Sequence, residues 1–127
     1  MDGWGVIVSF KATVRHLQDV AVVDLAGRLT LGDAATLLHN TIESLIGNGE
    51  KKIVLNLKEV TYLDSAGLGE LLGAHNAAAA ASGQVRIIHA QPKIQEHMRV
   101  MRLSNVLADY GDEELAAKSF AAVPSKA

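Results

Sequence analysis

Cysteine is absent from the 127 residues, which excludes disulfides, thiol nucleophiles and every cysteine-ligated zinc or iron–sulfur centre. That absence fits a reducing compartment. An excess of one charge is lacking too. The 12 basic and 14 acidic residues leave a formal net charge of -2, which gives no general reason to expect nucleic acid or an anionic membrane as partner. No apolar run approaches the ~18 residues of a membrane span, because Gly73, His75 and Asn76 interrupt the best candidate. Residues 1–16 carry no basic segment followed by a continuous apolar stretch, so no secretory signal is expected. These absences predict a cytoplasmic domain whose partners are chosen by local patches.

Apolar residues, by contrast, make up 49% of the chain. With so little net charge this excludes disorder as the dominant state. Two cores of about 60 residues each would be marginal, so a single domain over residues 1–127 is expected. Its core is placed at about 6–120, with a frayed tail from Ala121 onward.

The hydrophobic period alternates between strand-like and helix-like. Residues 5–14 and 20–26 are rich in β-branched side chains and flank Gln18-Asp19, which predicts an antiparallel hairpin. Gly27 and Gly32 punctuate a loop, and Asp33 is expected to cap a helix carrying Leu37, Leu38, Ile42 and Leu45. Gly47-Asn48-Gly49 ends that helix. Lys51–Leu57 predicts a buried strand, with Ile53, Leu55 and Leu57 on one face and Val54 on the other. A link over residues 58–63 leads to a second helix bearing Leu68, Leu71, Leu72, His75 and Ala79, closed by Ser82-Gly83. A strand over residues 84–89 follows. Pro92 then opens a third helix with Ile94, Met98 and Met101 as its apolar stripe. Val106–Ala108 is expected as a short last strand, and Asp112, Glu113 and Glu114 start a fourth helix. The order predicts an α/β fold: a mixed, mostly parallel sheet of four to five strands flanked by about four helices, with the first strand antiparallel.

The segment Asn56–Gly73 is the most informative. It places Gly67, Gly69 and Gly73 in a stretch whose period is helical, although each glycine costs about 1 kcal/mol there relative to alanine. The spacing is GxGxxxG, not the GxGxxG of a dinucleotide site, and His89-Ala90-Gln91 stands where a ribose-binding carboxylate belongs. No Gly-Lys-Ser/Thr follows, so a Walker A loop fails as well. Ser65 instead lies where a loop becomes a helix. Its hydroxyl can simply cap orphan N–H groups. It can also serve as a switch: Ala66, Gly67 and Gly69 leave its surroundings bare, so a partner's backbone or an enzyme's active site can approach. A phosphate there would face the positive end of a helix dipole yet place about -1.5 to -2 charge in a contact surface.

Asp64-Ser65-Ala66-Gly67-Leu68-Gly69, following the strand Ile53–Leu57, resembles the signature of the STAS domain of bacterial anti-sigma factor antagonists. Gly27-Arg28-Leu29-Thr30 is similar to that family's Gly-x-Leu-Asp/Thr turn before its first helix, and the element order matches over about residues 6–120. The resemblance implies a binding module and an enzyme's substrate, not an enzyme. An anti-sigma factor serine kinase would be bound, the kinase would phosphorylate Ser65 and expel the antagonist, and a phosphatase would reset the cycle. Asp64, Ser65, Ala66, Gly67 and Gly69, joined by Gly27, Thr30 and Asp33, would form the partner-binding surface. No cofactor is implied, and the expected state is a monomer or weak homodimer. The chain departs from the family at Asn56, where aspartate is frequent, and at Ala66, which replaces a frequent second serine.

Two rival readings stand beside this one. Free-standing STAS domains also serve as scaffold subunits of stress-sensing assemblies and as subunits of lipid-transport complexes. A small hydrolase using Ser65 is the third, and it lacks a GxSxG elbow. The histidines His16, His39, His75, His89 and His97 fall in no HxH or HExxH spacing, so no metal site is expected. His75, on the helix's apolar stripe, is expected to be hydrogen-bonded or half-buried. Lys93, Arg99 and Arg102 read as a solvated face, and Trp4 packs over a sheet edge or meets a neighbour.

Overall fold

Strand β1 (Phe10–Leu17) and strand β2 (Val20–Leu29) form the antiparallel hairpin, turned by Gln18 in a left-handed conformation at φ 54°. The computed structural model describes residues 10–121, 123 and 124. Trp4 and the part of the expected first strand before Phe10 therefore lie outside the described residues.

Beyond the hairpin the chain alternates: helix α1 (Asp33–Gly47), strand β3 (Lys52–Leu63), helix α2 (Ser65–Ala80), strand β4 (Gln84–Ile88), helix α3 (Pro92–Val100) and helix α4 (Glu113–Lys118). The sheet has the order β1-β2-β3-β4, with β2, β3 and β4 parallel. This is the mixed, mostly parallel α/β architecture expected, with four strands and four helices.

Side-chain alternation sorts the core onto the two sheet faces. Ala21, Val23, Leu25, Ile53, Leu55, Leu57, Val85 and Ile87 meet the apolar sides of α1, α2 and α3. Val20, Val22, Val54 and Ile88 meet Ala116 and Phe120 at α4, together with Val123. Strands buried on both faces need apolar residues at successive positions, and β2 and β3 supply them. Phe120 is 1% exposed.

Several expectations are corrected. The link over residues 58–63 is strand, since β3 runs on to Leu63. Its alternation is masked by register shifts against β2, between Asp24 and Ala26 and between Gly27 and Arg28. Such irregularities break the period of two. Gly27 is accordingly a strand residue and not part of a loop: it pairs with Phe10 and Val60 and has φ 109°, which favours glycine. Asp33 is the first residue of α1, and Gly32 is its N-cap. Backbone carbonyls do the capping there, with Ala35 N–H donating to Thr30 O (3.1 Å) and Thr36 N–H to Gly32 O (3.0 Å). The buried stripe of α2 is Gly67, Leu68, Leu71, Ala74 and Ala78; Leu72 and His75 are half-buried and Ala79 is exposed. On α3, Ile94 and Met98 are buried, but Met101 lies past the helix end and is 52% exposed. The expected last strand is reduced to a single parallel bridge, Ile87 with Asp109. Among the described residues, no helix is long and apolar enough to cross a membrane.

Candidate functional site

The parallel strands β2 and β3 end side by side, with Leu29 paired to Leu63. Each then gives way to a turn and a helix, so the starts of α1 and α2 share one edge of the sheet. Asp64 joins them. Its Oδ1 accepts from Gly67 N–H at 2.8 Å, which caps α2, and its Oδ2 accepts from Leu31 N–H at 2.9 Å, which fastens the turn before α1. Asp64 N–H donates to Leu29 O (3.3 Å) and Leu68 N–H to Asp64 O (2.9 Å). One carboxylate therefore holds the segment Gly27–Asp33 against the start of α2, as the parallel order predicts. The Leu31 N–H and then the Gly67 N–H hold that carboxyl below the usual carboxylate range, because both bonds favour the charged form.

Ser65 is not the cap. It is the first residue of α2, exposed, and its hydroxyl is held by no hydrogen bond among the described residues. Aspartate suits the cap better here, since its two oxygens reach the helix and the neighbouring turn at once. Gly67 is buried and turned inward. A Cβ there would lie 2.2 Å from Leu29 O, so the close approach it permits is that of α2 to the end of β2. Ala66 is half-buried, while Gly69 is exposed with nothing within 4 Å of the position of a Cβ. Thr30 is half-buried with its carbonyl on α1, and Asp33 is exposed on the same edge.

Sequence reasoning missed two features of this edge. Leu31, alone between Thr30 and Gly32, is 79% exposed. Arg28 stacks 4.4 Å from the centroid of the Tyr62 ring, and Tyr62 is 41% exposed. The lone leucine in a turn was a legible signal. The Arg28–Tyr62 stack becomes legible only once the β2–β3 register pairs the two residues. Seven residues back along β3 from Leu63, Asn56 Nδ2 donates to Asp24 Oδ1 at 2.8 Å, and Asn56 Oδ1 accepts from Lys58 N–H at 3.1 Å. The residue that departs from the family's frequent aspartate thus supplies a donor to a carboxylate.

The surroundings of Ser65 offer neither a base in hydrogen-bonding reach nor a cluster of metal ligands among the described residues. What they form is a polar hydroxyl on a firmly latched, partly apolar surface. Comparison with known proteins identifies the family and the fold. The family model described as "Mlab, STAS domain" matches residues 12–108. An anti-sigma F factor antagonist of Paenibacillus polymyxa is 23% identical over 106 residues, covering 84% of this chain and 91% of its own. An anti-sigma factor antagonist from Mycobacterium paratuberculosis shares the fold with a TM-score of 0.77 at 20% identity, over 87% of this chain and 93% of that one. The Bacillus cell fate determinant SpoIIAA, in its phosphorylated form, does so with a TM-score of 0.67 at 22% identity, over 86% and 98%. The family match runs from within β1 through β2, β3, β4 and the first three helices, and the chain belongs to the STAS domain family.

Proposed function

We propose that this STAS domain is an anti-sigma factor antagonist, a non-enzymatic cytoplasmic module that binds an anti-sigma factor serine kinase. Phosphorylation of Ser65 releases it, and a phosphatase restores binding. The contact surface is the edge built from Asp64, Ser65, Ala66 and Gly69 with Thr30, Leu31 and Asp33. The observation that carries this reading is the division of labour at the start of α2: Asp64 makes the structural bonds and leaves the Ser65 hydroxyl exposed. A phosphate on Ser65 meets the positive end of the helix dipole, so the fold tolerates it. A partner pressed against that surface meets about -1.5 to -2 new charge beside the Asp64 carboxylate. Like-charge juxtaposition of that kind costs several kcal/mol, and each 1.4 kcal/mol is tenfold in affinity.

The test is intact mass with site mapping after incubation with ATP and lysate of the native host, with Ser65→Ala as control. One phosphate at Ser65, absent from the variant, supports the switch. Ser65→Asp should then keep the wild-type unfolding midpoint while losing at least about a hundredfold in affinity for the captured kinase. An unmodified Ser65 in a lysate with active kinases, or Ser65→Asp binding as well as wild type, overturns the reading. Large particles by light scattering would then favour a scaffold subunit.

A further inference from the structure

A cleft of about 490 Å³ opens at the other end of α2. It lies beside Ala79, fourteen residues from Ser65 and so about 20 Å away at 1.5 Å per residue. It wraps the outer edge of β4, with His75 and Ala79 of α2 on one side and Arg86, Tyr110 and Val123 on the other. β4 is an edge strand among the described residues, where the chain returns beside it only at the Ile87–Asp109 bridge and leaves the start of the strand open to the cleft.

The charges are one-sided. Among the described residues no carboxylate lines the cleft, whereas the Arg86 guanidinium does. The Arg86 guanidinium is half-buried, lying 4.7 Å from the Phe120 ring centroid and 5.4 Å from that of Tyr110. Its acceptors are all neutral: Ser119 Oγ at 2.8 Å, the Gln84 side-chain oxygen, and the carbonyls of Val85 and Ser119. The other arginines with ion pairs here, Arg15 and Arg99, rest on carboxylates; Arg86 has none among the described residues. Close by, Lys51 Nζ donates to Ala81 O, which adds a second fixed cation at the end of α2. His75 Nδ1 is buried and has no hydrogen-bond partner among the described residues, an uncommon state for a polar atom. Asn105 and Tyr110 add polar groups, and Ala79, Val106 and Val123 add apolar wall.

We infer that this cleft binds a small organic anion: a carboxylate or phosphate monoester on Arg86 with an apolar body against Val106 and Val123. A volume between about 300 and 1,000 Å³ with mixed lining suits such a ligand. Charge-assisted hydrogen bonds to an otherwise uncompensated guanidinium supply the selectivity for anions. Because the cleft and Ser65 sit at opposite ends of α2, the ligand leaves the Ser65 edge free.

The test is a titration of the full-length, isotope-labelled chain by amide NMR with benzoate, phenyl phosphate and the neutral benzamide. Expected are saturable shifts with at least one anion, centred on His75, Gln84–Arg86 and Asn105–Tyr110, and none with benzamide. The tighter of the two anions identifies the group the cleft prefers. Arg86→Gln should weaken that binding by at least about tenfold. Since Arg86 also packs on Phe120, Ala79→Phe provides a second variant: it starts from an exposed position, intrudes on the cleft wall and should weaken the binding. Equal response to benzamide, shifts centred on Ser65, no saturable response to either anion, or undiminished binding by Ala79→Phe each overturns the inference.

Discussion

Gly67 and Gly69 stand two residues apart in one helix, and alanine at each should move stability in opposite directions. At Gly67 the added Cβ would lie 2.2 Å from Leu29 O and 2.9 Å from Leu29 Cγ. A carbon–oxygen contact settles near 3.3 Å or more, so the start of α2 must retreat by about 1 Å. That movement also stretches Asp64 N–H to Leu29 O, already 3.3 Å, and disturbs the cap on Gly67 N–H. A clash this close with backbone lies in the upper part of the overpacking range, about 2–3 kcal/mol, against which alanine's better helix propensity returns about 1. The expected net loss is about 1–2 kcal/mol. At Gly69 nothing lies within 4 Å of the new carbon, so the propensity gain of about 1 kcal/mol stands alone. The two variants should differ by about 2–3 kcal/mol, or roughly 10 °C in midpoint temperature for a chain of this length. Urea unfolding followed by far-UV circular dichroism measures this, with an unchanged slope confirming that stability alone has moved. If both variants shift the same way, or Gly67→Ala matches wild type, the packing argument is wrong.

The Asp64 latch predicts a pH dependence. The carboxyl lies below its usual range in the folded state, so its contribution is complete above the unfolded value of about 3.9. It fades as the pH falls from there through the folded value. The stability gap between wild type and Asp64→Ala should therefore be constant at neutral pH and close in acid, as read from urea midpoints across the range. Asn56→Asp replaces the donor on Asp24 Oδ1 with a second carboxylate, and should cost about 1–3 kcal/mol at neutral pH and recover in acid. Phe120→Ala removes the anchor of α4 from the second sheet face and should cost about 3–5 kcal/mol by chemical denaturation.

Most elements were legible because their local signals agree with their tertiary use. Pro92 opens α3, Gly47-Asn48-Gly49 closes α1, and Ile53, Leu55 and Leu57 face away from Val54 as their alternation implies. The failures share a cause, which is that a neighbour overrode the local pattern. Residues 58–63 lost their strand signal to the shifts that β2 imposes. The α2 stripe is rotated because Gly67 seats the helix directly on Leu29, which draws Ala74 and Ala78 inward and turns Ala79 out. Asp64 and Ser65 were placed at the start of α2, but the capping duty that the serine hydroxyl could serve falls to Asp64. Ser65 looked like a cap because a hydroxyl before a helix can be one, and only the second bond to Leu31 explains why the carboxylate takes that duty.

The strand order has a consequence for how the chain assembles. Since β1, β2, β3 and β4 lie side by side in the order of synthesis, every pairing among these four strands joins neighbours in sequence, and none of the four waits for a distant partner. Short loop closures favour rapid folding over topologies that thread later strands between earlier ones. Each emerging β-α unit can add to a growing edge. The contact of Arg15 with Glu113, 98 positions apart in sequence, is of the other kind, and ties α4 to the edge strand β1.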